Sequence, residues 1–221
     1  MNFNDVFNSE NRFFSTMSKV WDLIVLNFFF LLTVILGIGP AATGLYYAVA
    51  KNIRKSRGYA MKTFFHSFRT NFKQGLILGI IQAIGLFTVW YCFEFAMAMA
   101  PGTTISQIYF TLWLIFSAIF VMMYLYVYPI LSRFSLSTFK ILKMAFILVL
   151  RHLPSSIIMA AVLAAEIFIA SVFPAFLSIV FLIGCSGYVL LKSLLMERIL
   201  RRYTPKPAEG EESGVDAWYL E

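Results

Sequence analysis

Five long apolar stretches, residues 20–38, 75–99, 108–130, 155–173 and 175–191, make up nearly half of this chain. Each approaches the ~20 residues that an α-helix rising ~1.5 Å per residue needs to cross ~30 Å of hydrocarbon. Only helices and closed barrels satisfy their backbone hydrogen bonds in lipid, and stretches of this length and continuity are helical. The expected fold class is therefore all-α, a polytopic transmembrane bundle of about five spans supplemented by interfacial amphipathic helices. Residues 1–19 read as a polar interfacial segment, 20–203 as the transmembrane helical domain, and 204–221 as a disordered cytoplasmic tail rich in proline, glycine and glutamate.

With 60% hydrophobic and 13% charged residues, the chain is too apolar for an ordinary soluble domain. Its formal charge of +7 would suggest nucleic acid in a soluble protein. Here the cations fall mostly in the connections between apolar stretches, the pattern by which bacterial inner-membrane proteins orient themselves. The expected partners are a lipid bilayer and no nucleic acid. Cys92 and Cys185 lie inside apolar stretches without metal-ligand spacing, and no catalytic motif, metal cluster or nucleotide loop is visible. The expectation is a non-enzyme with no cofactor.

Residues 1–19 carry Phe3, Phe7, Phe13 and Phe14 and suggest a short helix at the interface. The first span ends in Gly37-Ile38-Gly39-Pro40, where a break is expected. Residues 41–50 then resume a helical pattern, with Tyr46 and Tyr47 suited to the headgroup level. Residues 51–73 hold Lys51, Arg54, Lys55, Arg57, Lys62, Arg69 and Lys73 without an acid, so this connection should be cytoplasmic. Its second half sets Met61, Phe64, Phe65, Phe68 and Phe72 on one helical face and Lys62, His66, Arg69 and Lys73 on another, an amphipathic helix feeding into the second span. The third span ends at Tyr128-Pro129, and Arg133, Lys140, Lys143 and Arg151 return the chain to the same side. Five spans put the N-terminus outside. The alternative keeps it inside and lets residues 41–50 re-enter as a half-helix, whose ten residues reach only ~15 Å and cannot cross unaided. Five spans are preferred, and a faint echo between the halves, each with a proline-ended span, a basic stretch and a new span, favours them.

The runs Leu26-Asn27-Phe28-Phe29-Phe30-Leu31-Leu32, Gly39-Pro40-Ala41-Ala42-Thr43-Gly44-Leu45-Tyr46-Tyr47 and Phe64-Phe65-His66-Ser67-Phe68-Arg69-Thr70-Asn71-Phe72-Lys73-Gln74 resemble the YesL family of bacterial integral membrane proteins, a family of unknown function. The likeness is strongest over the first ninety residues and ends before the tail. Members are often encoded beside carbohydrate-uptake transporters, so the resemblance implies an accessory role in sugar uptake, with sugar-importer subunits as partners and no catalytic residues.

Ionisable groups inside a bilayer cost ~2.5–3.5 kcal/mol at the helix centre and ask for a reason. Asp22, Glu94 and Glu166 all fall in the outer half under the five-span topology. With Asn27, Gln82 and Trp90 they form a candidate polar intramembrane site for a cation, a proton or sugar hydroxyls. The bland alternative is interface contact for Asp22 and Glu94 and an internal hydrogen bond for Glu166. Arg54, Lys55, Arg57, Lys62, Arg69 and Lys73 form a candidate cytoplasmic docking face. Gly75 and Gly79 form a GxxxG suited to close helix packing, within the chain in preference to between copies of a homo-oligomer. His66 and His152 lack a neighbouring acid or nucleophile and read as interfacial. Two functions compete: an accessory component that docks onto a sugar importer, and a small-solute transporter acting alone or as an oligomer.

Overall fold

The computed structural model describes residues 3–54, 59–99 and 102–204, with side chains from residue 16 onward. Lys55, Arg57, the tail beyond Thr204 and the side chains of Phe3, Phe7, Phe13 and Phe14 lie outside the described residues. Among the described residues every regular element is helical.

Helix α1 runs unbroken over Phe3–Thr33. No glycine or proline occurs before Gly37, so nothing ends the helix at residue 19. The expected separate interfacial helix is instead the first half of α1. After a turn, α2 spans Ile38–Ala48 and continues as a π-helical turn over Val49–Ile53. Pro40 sits in the first turn of α2, where its missing N–H would have had no helical partner, so it starts this helix at no hydrogen-bond cost.

The two helices form an antiparallel hairpin. Phe29 of α1 packs on Phe64 at 6.5 Å between ring centroids, and Gly44 of α2 lies against the same Phe64. Beyond the turn, α2 leads back until Arg54 Nη1 donates to the Ser193 carbonyl at 2.8 Å. Asn27, farther along α1, bonds to residues 181 and 186, nearer the opposite end of the last helix. Thus α1 starts on the side that carries the basic turns, and α2 returns to it. This reverses the expected direction of the first span, which assumed an outside N-terminus, and it places Asp22 toward the basic side. The half-helix was rejected for being unable to cross unaided; it is aided, because residues 39–50 are buried by protein at every position except Ala42. Tyr46 and Tyr47, expected among headgroups, are core residues at 1% and 5% exposure.

Helix α3 (Ala60–Thr70) buries Thr63, Phe64, Ser67 and Phe68 and exposes Lys62, His66, Arg69 and Thr70. Met61, assigned to its apolar face, is half exposed. After Asn71 the chain enters α4 (Phe72–Ala98), which pairs with α5 (Thr104–Arg133). Trp113 Nε1 donates to the Val89 carbonyl at 2.8 Å and Gln74 Nε2 to the Leu136 carbonyl at 2.6 Å, fixing an antiparallel register. Although Pro129 was expected to end it, α5 continues one turn to Arg133. Amphipathic α6 (Thr138–Arg151) leads to α7 (Leu153–Val172). Helix α8 (Pro174–Ile179), a π-helical turn over Val180–Gly184 and α9 (Cys185–Leu200) complete the bundle.

Among the described residues five helices are long and apolar enough to cross a membrane: Thr16–Thr33 within α1, Phe72–Ala98, Thr104–Arg133, Leu153–Val172 and Pro174–Tyr203. A returning helix, an amphipathic helix and an outgoing helix occur twice, as α2–α3–α4 and α5–α6–α7. Among the described residues the buried ones concentrate toward the basic end, whereas residues 80–99, 102–121 and 161–182 are largely exposed, as lipid-facing surfaces should be.

Candidate functional site

Two glycine contacts set how closely the hairpin approaches α4. A Cβ on Gly39 would lie 1.8 Å from the Gly75 carbonyl oxygen, and one on Gly79 would meet the Gly39 nitrogen at 3.2 Å. The GxxxG pair therefore packs within the chain, against the first turn of α2. That contact holds the tip of the hairpin at the level of residues 75–82 in α4.

Alongside α2, from Ile38 at the tip to Tyr46, lies a partly open cavity of about 630 Å³, walled by α1, α2, α4, α5, α7 and the last helix. Most of its lining is apolar, including Phe30, Ile38, Leu86, Val121, Leu163 and Ile167. Polar groups enter from Gln82, Tyr128, Tyr188, Glu166 and Lys192. The Tyr128 hydroxyl donates to Gln82 Oε1, tying α5 to α4. Glu166 presses its carboxylate where Gly184 leaves room, since a Cβ there would come within 2.6 Å of Glu166 Oε1. Lys192 is only 8% exposed, and its Nζ lies 5.9 Å from the centroid of the Tyr188 ring. Apolar walls with a few placed polar groups are the usual build of a small-molecule pocket.

The six residues expected to share one polar site separate. Gln82 and Glu166 do line this cavity. Asn27 is fully buried outside it: its Nδ2 donates to the Phe181 carbonyl at 2.6 Å, and its Oδ1 accepts from the Ser186 N–H at 3.0 Å. The π-helical turn takes these backbone groups out of regular helical pairing, and one side-chain amide replaces the missing partners in a region without water. Glu94 is exposed at the far end of α4, and Asp22 is half-buried on α1 away from the cavity lining. Trp90 is 55% exposed beside Phe87.

Below the cavity, at the basic end, Arg133 Nη1 pairs with Glu197 Oε2 at 3.2 Å, and the Tyr46 hydroxyl donates to Glu197 Oε1 at 2.8 Å. Both charged side chains are almost wholly buried. This arrangement joins α2, α5 and α9 and closes the bundle at that end. Sequence reasoning missed it, along with Lys192. The available signal was that Glu197 is an acid amid Lys192, Arg198, Arg201 and Arg202, but counting basic residues for orientation ignores acids.

On the same side, α3 presents Lys62, His66, Arg69 and, across Asn71, Lys73 to the exterior, while Phe64 and Phe68 anchor it. Arg54 is partly buried and committed to the Ser193 carbonyl, so it belongs to the bundle and not to this face. His152 stands near Arg151 and Arg202 and lies 3.1 Å from the Tyr203 hydroxyl. Partial burial, then Arg202, then Arg151 hold its imidazole below the usual histidine range.

These features define a multi-pass membrane helical bundle with an internal cavity. A family model described as protein of unknown function, DUF624, matches residues 22–92, from α1 through most of α4, which is consistent with the resemblance carried by the residues. Comparison with curated proteins and comparison with solved structures each gave no match.

Proposed function

We propose that this chain is a non-enzymatic accessory component of a carbohydrate-uptake assembly in a bacterial inner membrane, docking onto importer subunits through its basic cytoplasmic face. The observation that carries this reading is the exposed set Lys62, His66 and Arg69 on α3, whose other face is locked into the core, continued by Lys73 at the start of α4. The exposed cations Lys62, Arg69 and Lys73 suit an acidic surface on a partner or the headgroups around it. The carbohydrate part rests on the resemblance alone. Affinity purification from native membranes in mild detergent tests it. Sugar-importer subunits should accompany the unmodified chain and be lost from the Lys62→Glu, Arg69→Glu, Lys73→Glu variant; their absence from the unmodified chain refutes the reading.

A second reading, a small-solute carrier, is favoured by the cavity and its two charged groups. Solute flux into liposomes containing only this protein would support it over docking.

A further inference from the structure

We infer that the cavity is a binding site for an anionic amphiphile, a molecule with one carboxylate or phosphate group and an apolar body, whose acidic head pairs with Lys192. Two independent observations meet here. The first is the space: about 630 Å³ of largely apolar lining, inside the ~300–1,000 Å³ range of small-molecule sites. The second is Lys192, a residue only 8% exposed, which lines that space and also a smaller one between α7 and α9. Among the described residues no carboxylate and no hydrogen-bond acceptor reaches its Nζ, which lies over the face of Tyr188. A buried cation without an anion is costly, and buried charges are ordinarily paired. The other cation buried nearby, Arg133, is already matched by Glu197. No described residue therefore supplies Lys192 with a counter-charge, and the adjoining cavity is where one fits.

Glu166 fixes which way such a molecule lies. Its carboxylate is seated at Gly184, eight residues before Lys192 and so about 12 Å away along α9. An acidic head is repelled at that end and attracted at the other. The apolar body then runs from Lys192 past Leu125, Leu163 and Leu86, between the α4–α5 pair and α7. The head could come from a membrane phospholipid or from a free fatty acid, since both present an anion on an alkyl chain.

The test uses the full chain purified in neutral detergent, with radiolabelled laurate as probe. Saturable binding near one per chain is expected. Methyl laurate, which has the same body and no charge, should compete at least about tenfold less well, the factor that ~1.4 kcal/mol represents. Lys192→Met should weaken laurate by a similar factor, Lys192→Arg should retain it, and Glu166→Gln should leave it unchanged or tighter. Competition by phosphatidylglycerol assigns the site to lipid, and its failure to compete assigns it to a free acid; in both cases the acidic head at Lys192 stands. Equal competition by laurate and methyl laurate on the unmodified chain overturns the inference even if the Lys192 variants fail to fold, as does undiminished binding to a folded Lys192→Met chain.

Discussion

Replacing Gly39 with alanine tests the central packing contact of the bundle. Gly39 lies in the first turn of α2 and has no positive φ, so alanine needs no unusual backbone angles there. The added carbon, however, falls 1.8 Å from the Gly75 carbonyl oxygen, where ordinary contact begins at 3.4 Å. The obstacle is backbone, which cannot rotate away as a side chain would. Helices α2 and α4 must part by about 1.6 Å, and a gap of even 0.5–1 Å forfeits a quarter to a half of each dispersion contact it opens. Overpacking typically costs ~1–3 kcal/mol, and a clash this deep belongs at or above the top of that range. At ~2–4 °C per kcal/mol for a chain of this size, the midpoint should fall by about 6–12 °C. Thermal unfolding in mild detergent, followed by tryptophan fluorescence, measures it. Three other glycines calibrate the scale. Gly75→Ala meets the Pro40 nitrogen at 2.8 Å and should fall between; Gly79→Ala, at 3.2 Å, should be close to neutral; Gly187→Ala has nothing within 4 Å and should not destabilise. Should Gly39→Ala melt with Gly187→Ala, α2 does not lie against α4 and the reasoning fails.

Glu197→Gln should cost about 3–5 kcal/mol, because it strands the buried Arg133 guanidinium, while Arg133→Met combined with Glu197→Leu should recover much of that loss in the same melt. In intact cells, with native cysteines removed, Thr103→Cys should react with an impermeant thiol reagent and Ser18→Cys and Thr204→Cys should not, since α1 starts and α9 ends on the basic side; labelling of Ser18→Cys from outside would contradict the hairpin. His152 titrates below the usual histidine range in the folded chain, so below pH 6.5 the unfolded chain takes up the proton first. Stability should be full above that pH and decline as pH falls through it toward the folded value, and His152→Gln should flatten this part of the pH–stability curve.

The spans were legible because lipid imposes length and apolarity on single segments, and α4, α5, α7 and the last helix differ from their expected limits mainly at their ends. Helix α3 was legible for a similar reason: its two faces are written within eleven residues. What escaped depends on pairs far apart in the chain. The apolar run of α2 has the composition of a lipid-facing half-helix, and it is α1, α3, α4, α5 and α9 around it that make it core. Asn27 looked like a ligand because a polar group in lipid demands a partner, and its partner is backbone 154 and 159 residues away. Lys192 and Glu197 were hidden in a basic cluster whose sum gave the orientation and whose members were not weighed singly.

That separation bears on how the protein is made. When residues 38–53 leave the ribosome, α1 has been made but the later helices that will enclose them have not, and Asn27 lacks its partners until residues 181 and 186 emerge. The translocon must hold or release the N-terminal hairpin in an incomplete state throughout synthesis of the remaining chain, so nascent chains halted before α9 should be the form on which membrane chaperones and quality-control proteases act.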